Sequence, residues 1–308
     1  MVGARISGIG VALPDKVVTN DELAATLDTT DEWIVERTGI RERRIGGTTN
    51  DRAVVAAQRA LDAAGCTAEQ LDLVILATTS PDQLMPAGAC VIQDALGATC
   101  GAFDLNAACS GFVYGLIAAA GFLEVGSRRV LLVGSETLSN ITDWDDRGTA
   151  ILFGDGSGAA VVEAIDGPSD ILGWHVASRG DLGHILSCEM SGTMKMDGRE
   201  VFRQAVLAME ESAMASLERA GLTADDVAVI VPHQANIRII DASLKRLGIP
   251  AEKASVVLDR TGNTSSASIP LALEEALRTN RIGAGDVVLL VGFGAGMTSA
   301  SALIRWPG

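Results

Sequence analysis

The sequence predicts an α/β protein of two related halves, and an internal repeat is the main reason. Residues 60–75 (ALDAAGCTAEQLDLVI) match residues 216–231 (SLERAGLTADDVAVIV), about half of the 308-residue chain further on. Each copy reads as an amphipathic helix stopped by glycine, an acidic turn and an aliphatic strand. A second block, 128–136, matches 285–294. We therefore expect pseudo-symmetric halves at 1–165 and 166–308, although generic strand–helix units can match by chance over such short blocks.

Aliphatic runs bounded by glycine, proline or acidic turns predict the strands, and apolar residues three to four apart predict the helices. The strands are expected near 4–11, 72–78, 101–105, 129–134, 150–163, 226–231, 254–258, 286–292 and 297–306. The helices are expected near 51–64, 86–96, 109–124, 201–220, 236–247 and 266–280. Helices 109–124 and 266–280 hold corresponding places, and both are typical of central helices packed between sheets. Residues 166–200 show no clear period and predict an irregular insert.

The composition excludes several classes of protein. With 48% hydrophobic residues the chain is no disordered tail, and a net charge of −15 argues against general nucleic-acid binding. The stretch 105–124 is long and apolar, but its glycines and polar residues favour a buried helix over a membrane span. Five cysteines without a CxxC pair predict a reducing compartment, which we take to be the cytoplasm, and no metal site.

Three polar residues follow predicted strands, where open α/β sheets form their sites. Cys109 follows strand 101–105, His233 follows strand 226–231, and Asn263 follows strand 254–258. A cysteine at a helix start is expected to have a lowered pKa and to exchange acyl groups with thioesters. A histidine and an asparagine beside it can donate to one carbonyl oxygen and stabilise an enolate. The backbone of the glycine turn 292–296 can approach a bound oxygen closely.

Each of these residues alone has a simpler explanation. Cys109 suits a core position at the start of an apolar helix. His233 after a proline, and Asn263 after a glycine, are both typical turn residues. Only their combination indicates a catalytic site.

At these positions the sequence resembles the thiolase superfamily, and within it the β-ketoacyl-acyl carrier protein synthase III family. The resemblance covers nearly the whole chain. It rests on DEWIVERTGIRERR (31–44), the block around Cys109, DRGTAILFGDGSGAAVV (146–162), VPHQANIRI (231–239), TGNTSSASIP (261–270) and GFGAGMTSA (292–300). It implies a five-layer αβαβα fold.

The resemblance also implies roles for the site residues. Cys109 is similar to the acylated nucleophile, His233 and Asn263 match the pair that promotes decarboxylation, and the amides of Cys109 and Gly296 correspond to the oxyanion hole. The residues similar to the coenzyme A (CoA) site are Trp33, Arg37, Arg147, Phe153 and Phe202. Met85 matches a position that closes the partner's acyl pocket across a homodimer interface.

The resemblance implies that a basic helix face binds acyl carrier protein, which is acidic. On helix 236–247 the apolar stripe leaves Arg238, Lys245 and Arg246 outside it, and Arg203 can extend the patch. A merely solvated helix face is the plainer explanation. In a chain this acidic, a local cationic surface would help an acidic partner to dock.

The implied reaction is a decarboxylative Claisen condensation of an acyl-CoA primer with malonyl-acyl carrier protein, with CoA thioesters as substrates and no tightly bound cofactor. One alternative is a related acyltransferase that passes the acyl group from Cys109 to an alcohol, amine or sugar. Another is a non-catalytic scaffold. The segment 180–202 is shorter than expected for the family, and Arg199 lies near the presumed tunnel mouth, which leaves donor binding open.

Overall fold

The computed structural model describes residues 2–307, which fold into thirteen strands and ten α-helices. The strands are β1 (Val2–Ala12), β2 (Val17–Thr19), β3 (Glu42–Arg44), β4 (Leu73–Ala77), β5 (Gly101–Leu105), β6 (Arg129–Glu136), β7 (Gly156–Asp166), β8 (Ile171–Ser178), β9 (Leu186–Ser187), β10 (Lys195–Met196), β11 (Val227–Pro232), β12 (Val287–Gly294) and β13 (Thr298–Arg305). The helices are α1 (Asn20–Ala24), α2 (Asp31–Thr38), α3 (Thr49–Ala64), α4 (Gly88–Ala95), α5 (Gly111–Glu124), α6 (Arg147–Ala150), α7 (Gly198–Ala220), α8 (Ile237–Leu247), α9 (Leu258–Thr261) and α10 (Ser268–Arg278).

Two sheets of matching topology form the framework. The first has the order β1-β7-β6-β4-β5 and the second the order β11-β12-β13-β8. In the first sheet β4 pairs parallel with β6, which pairs antiparallel with β7, which pairs antiparallel with β1. The second sheet has the same order of pairings. There β11 pairs parallel with β12, β12 pairs antiparallel with β13, and β13 pairs antiparallel with β8. The sheets are therefore related by pseudo-symmetry, as the repeat predicts.

The helices and the two sheets form five layers, and three buried hydrophobic clusters lie between these layers. One joins α3 and α4 to the first sheet, a second joins both sheets to the central helices α5 and α10, and a third joins the second sheet to α7 and α8. The central helices are apolar because they are covered on both sides. The expected five-layer αβαβα, thiolase-like fold is confirmed. None of the helices between residues 2 and 307 has the length and apolar character needed to cross a bilayer.

Two of the expected elements are wrong. Residues 254–258 do not form a strand: Ala254 makes one isolated parallel bridge to Ile230, and Leu258 already begins α9. The region 166–200 is not irregular throughout, because β8 lies at the edge of the second sheet and β9 pairs with β10. Strand β7 also begins at Gly156 rather than 150, after the short helix α6.

Candidate active site

Cys109, His233 and Asn263 line one cavity of about 610 Å³. Cys109 follows β5 and His233 follows β11, as predicted, whereas Asn263 follows the short helix α9 and not a strand. Apolar side chains form much of the remaining wall. A site of this kind can bury an extended, partly apolar substrate and present a few polar groups to it.

Cys109 lies in a tight turn that leads into the central helix α5. The turn Ala108–Ser110 begins with Ala108 at a φ of 48°, and α5 starts at Gly111. Gly294 of β12 packs against it so closely that an added Cβ would lie 2.6 Å from the Cys109 amide nitrogen. Strand β12 therefore needs glycine at this position to support the nucleophile's turn.

The environment of Cys109 disfavours the thiolate. Burial raises the pKa of its thiol to about 12; the Ser265 hydroxyl opposes that rise and the negative charge of Glu136 adds to it. Our expectation of a lowered pKa is therefore wrong for the free protein, because loss of water outweighs the helix start. At neutral pH the Cys109 side chain of the free protein is therefore mainly a neutral thiol.

His233 is a buried imidazole with one nitrogen held and one unused. Its amide donates to the carbonyl of Val291 (2.8 Å), and its Nδ1 lies 2.7 Å from the Ser268 hydroxyl. The edge of its ring packs against Phe293, with ring centroids 5.3 Å apart. Within residues 2–307, Nε2 has no hydrogen-bond partner. Burial lowers the pKa of His233 to about 3, so the ring is neutral and Nε2 can serve a substrate.

Asn263 is fixed through its backbone and its side-chain oxygen. Its amide donates to Leu152 O (2.8 Å), its carbonyl accepts from Gly154 N (2.9 Å), and its Oδ1 accepts from Ser265 N (2.8 Å). The contact to Ser265 leaves the Nδ2 amino group as the side chain's donor. Asn263 can thus offer a hydrogen bond beside His233.

The glycine turn is tied to the nucleophile's turn. Gly296 lines the cavity with a φ of 100°, a conformation that favours glycine. The Thr298 hydroxyl contacts the Ala107 carbonyl at 2.8 Å and the Ser110 hydroxyl at 2.8 Å. Thr298 therefore holds the two turns that carry the Cys109 and Gly296 amides.

Four of the five expected CoA residues line the cavity, and Phe153 is buried beside Asn263, to which it makes a parallel bridge. Trp33, Arg37, Phe153 and Phe202 line the cavity, whereas Arg147 does not. The guanidinium of Arg147 instead lies 4.7 Å from the centroid of the Trp33 ring, and that of Arg37 lies 4.5 Å from it. Arg147 also donates to the Asp28 carbonyl (2.6 Å).

Other expected residues lie at the surface. Met85 is 79% exposed and is not part of the cavity wall. Arg203 pairs with Glu200 (2.5 Å) and Arg246 pairs with Glu210, whereas Lys245 and Arg238 form no ion pair within the described chain. Arg199 is exposed, next to the cavity-lining Gly198.

The sequence analysis missed several residues that support the site. Ser265, Thr298 and Phe293 line the cavity, and Ser268 holds His233. For Ser265 and Ser268, the run of small polar residues TSSAS (264–268) directly after Asn263 is the feature of the sequence that could have indicated them. In residues 2–307 no cluster of three His, Cys, Asp or Glu side chains could hold a metal ion.

Comparisons with known proteins agree with this geometry. Sequence models described as 3-oxoacyl-[acyl-carrier-protein (ACP)] synthase III match residues 103–180, and the C-terminal model of that family matches residues 217–306. The chain is 48% identical over 307 residues to β-ketoacyl-[acyl-carrier-protein] synthase III 1 of Bacillus anthracis, covering 98% of each chain.

Solved structures show the same similarity. The 3-oxoacyl-[acyl-carrier-protein] synthase III of Aquifex aeolicus VF5 superposes with a TM-score of 0.97 at 45% identity, covering 99% of this chain and 100% of that one. The priming β-ketosynthase of the R1128 polyketide pathway superposes with a TM-score of 0.93 at 39% identity, covering 99% and 96%. The chain therefore belongs to the 3-oxoacyl-[acyl-carrier-protein] synthase III family.

Proposed function

We propose that this protein condenses an acyl-CoA primer with malonyl-acyl carrier protein, through an acyl-Cys109 intermediate, to give a 3-oxoacyl-acyl carrier protein that begins a fatty-acid chain. One observation carries the proposal: Cys109 lines the same cavity as His233, whose Nε2 has no hydrogen-bond partner within residues 2–307, and Asn263, whose side chain is held there through Oδ1 and not through Nδ2. The nucleophile comes from the proposed half 1–165, and the two partners come from the proposed half 166–308.

In the first half-reaction, the Cys109 sulfur attacks the thioester carbonyl. The new C–S bond forms as the bond to CoA breaks, and the thiol proton passes through His233 Nε2 to the departing CoA sulfur. The raised pKa of Cys109 makes this proton transfer necessary, since little thiolate exists at neutral pH. We assign the oxyanion hole to the amides of Cys109 and Gly296, whose turns Thr298 holds together.

In the second half-reaction, the malonyl group loses carbon dioxide and its C–C bonding pair becomes a thioester enolate. His233 Nε2–H and Asn263 Nδ2 donate to the enolate oxygen. The enolate carbon then attacks acyl-Cys109, which forms the new C–C bond and releases the Cys109 sulfur to regain a proton. The Ser268 hydroxyl can donate to Nδ1 or accept from it, so it supports both tautomers that the two half-reactions need.

The outer cavity supports binding of the CoA nucleotide. We propose that the adenine stacks between Trp33 and Arg147, that Arg37 contacts the phosphates, and that Phe153 and Phe202 flank the pantetheine arm. The close approach of Arg147 to the Trp33 ring leaves no room for a base between them. Binding therefore requires the Arg147 side chain to move aside.

We further propose that carrier protein docks beside the cavity mouth and that the protein is a homodimer in the cytoplasm. Exposed Lys245 is available to an acidic partner. Arg238 lines the cavity wall, with its guanidinium 5.8 Å from the centroid of the Phe202 ring, and Arg203 and Arg246 must exchange an existing glutamate for the partner. Exposed Met85, outside its own cavity, suits a role in a second subunit's acyl pocket.

Intact-protein mass after incubation with acetyl-CoA tests the first half-reaction. An acetyl adduct should form on the wild type and on Cys188→Ser, a matched control because Cys188 also lines the cavity, but not on Cys109→Ser. Addition of malonyl-acyl carrier protein should then release carbon dioxide and give an acetoacetyl product. An adduct that moves to another acceptor without carbon dioxide would instead support the acyltransferase, and absence of any adduct would refute both.

A further inference from the structure

Glu136, the last residue of β6, is a fully buried carboxylate that accepts hydrogen bonds from all sides. Its donors are five side-chain hydroxyls and three backbone amides, from Thr78, Thr79, Ser80, Ser265 and Ser266. The ion pairs of residues 2–307 do not include it. Burying a carboxylate without a cation is costly, and its complete set of donors indicates a specific role.

The backbone around Glu136 is built for this contact. At Gly134, two residues earlier in β6, an added Cβ would lie 2.5 Å from the Ser266 carbonyl oxygen. The absence of a side chain there lets the turn Ser265–Ala267 approach β6 closely. Glu136 can then join the loop that follows β4 to the turn that follows Asn263.

The contact leads directly to Asn263. Ser265 has a φ of 48°, which costs energy for a residue other than glycine and needs support from its surroundings. Its hydroxyl donates to Glu136 Oε1 (2.9 Å), and its amide donates to Asn263 Oδ1 (2.8 Å). Glu136 thus holds the residue that orients the Asn263 carboxamide.

We propose that Glu136 is a positioning residue of the condensation half-reaction, which acts by fixing Ser265 so that Asn263 Nδ2 points at the enolate oxygen. The inference rests on the proposed function. Since Cys109 and its turn are held by other contacts, chiefly from Thr298 and Gly294, acylation depends on Glu136 much less than condensation does.

The test compares both half-reactions in Glu136→Gln, which keeps the size of the side chain. Condensation should fall by roughly tenfold to a hundredfold, as for a slightly misplaced group, while acetylation of Cys109 stays close to wild type. Asp155→Asn is the matched control, because Asp155 is equally buried and accepts from Gly46 N and the Ser139 amide and hydroxyl, outside the cavity wall. It should leave the ratio of condensation to acylation unchanged.

Two further measurements separate positioning from a general structural role. Ser265→Ala removes a hydroxyl that contacts both Glu136 and Cys109, so acylation should slow somewhat and condensation should slow more. The double variant should condense no more slowly than Ser265→Ala. This comparison also decides the matter if Glu136→Gln does not fold. The pH profile of Cys109 alkylation should move to lower pH in Glu136→Gln, because a nearby negative charge is removed.

The possible failures are distinct. A wild type that forms acetyl-Cys109 but never condenses would overturn the proposed function and this inference together. A wild type that condenses, with an unchanged ratio of the two half-reactions in Glu136→Gln and Ser265→Ala, would overturn this inference alone.

Discussion

The two turns that enter the central helices have the same construction but different chemistry. In the first, Asn106 Oδ1 accepts from Ala108 N (3.2 Å), and Ala108 has a φ of 48° before Cys109. In the second, Asn263 Oδ1 accepts from Ser265 N (2.8 Å), and Ser265 has a φ of 48° before Ser266. In the proposed reaction, the first turn presents the nucleophile and the second presents the carboxamide that contacts the enolate. The same backbone construction would then serve both half-reactions.

The turns also differ in what supports them. Strand β12 approaches the Cys109 turn through Gly294, and strand β6 approaches the Ser266 turn through Gly134. Each sheet therefore supports the turn that belongs to the other. We call this arrangement cross-support. It predicts that a substitution in one sheet impairs the turn next to the other sheet, and with it the half-reaction that uses that turn.

Replacing the asparagine of each turn, Asn263 or Asn106, should give the largest difference in condensation rate between the two turns. Asn263→Ala removes an enolate donor, so condensation should fall by about 10²- to 10³-fold while Cys109 still acetylates. Asn106→Ala loosens only the nucleophile's turn and should lower both half-reactions by the same small factor. Single-turnover rates of each half-reaction measure this. Equal losses of condensation in the two variants would show that the turns are not specialised.

Adding a methyl group to either supporting glycine should have the next largest effect. Gly294→Ala places a Cβ against the Cys109 amide, and Gly134→Ala places one against the Ser266 carbonyl. Each should cost about 1–3 kcal/mol of unfolding free energy through overpacking. Gly294→Ala should slow both half-reactions, because Cys109 carries the acyl group in both, and Gly134→Ala should mainly slow condensation. Urea unfolding and the same single-turnover rates test this, and a reversed pattern would contradict the cross-support.

The buried imidazole predicts a dependence of stability on pH. The pKa of His233 is lowered from 6.5 to about 3 in the folded protein, so the unfolded chain binds a proton that the folded one excludes. The free energy of unfolding therefore has its full value, as far as His233 is concerned, above about pH 6.5, and it decreases as the pH falls toward 3. Unfolding measured between pH 7 and pH 4 should show a weaker slope in His233→Asn than in wild type.

The smallest expected effect is at Ser268. Ser268→Ala leaves His233 Nδ1 without its partner and should destabilise the fold by about 1 kcal/mol, with a modest loss of condensation. Nitrogen NMR of the imidazole should show an altered tautomer ratio. Ser243→Ala, a buried serine on α8 outside the cavity, should leave that ratio unchanged.

The sequence predicts most of the fold because strands such as β4, β6, β11 and β12 are largely aliphatic runs and because the central helix α5 is apolar along nearly its whole length. Residues 254–258 are predicted as a strand because they are mostly apolar. They form only one β-bridge, because the chain turns into α9 at Leu258. Strand β8 was missed because an edge strand, less buried, shows a weak pattern. The raised pKa of Cys109 and the role of Glu136 depend on burial by distant segments, which no local pattern encodes.

Arg147 resting on the Trp33 ring has a consequence for turnover. In the proposed reaction, spent CoA must leave before the second substrate arrives. A base that stacks on this indole must displace Arg147, and that cost applies equally to the donor and to spent CoA. The position of Arg147 therefore favours weaker binding of the nucleotide and its easier release.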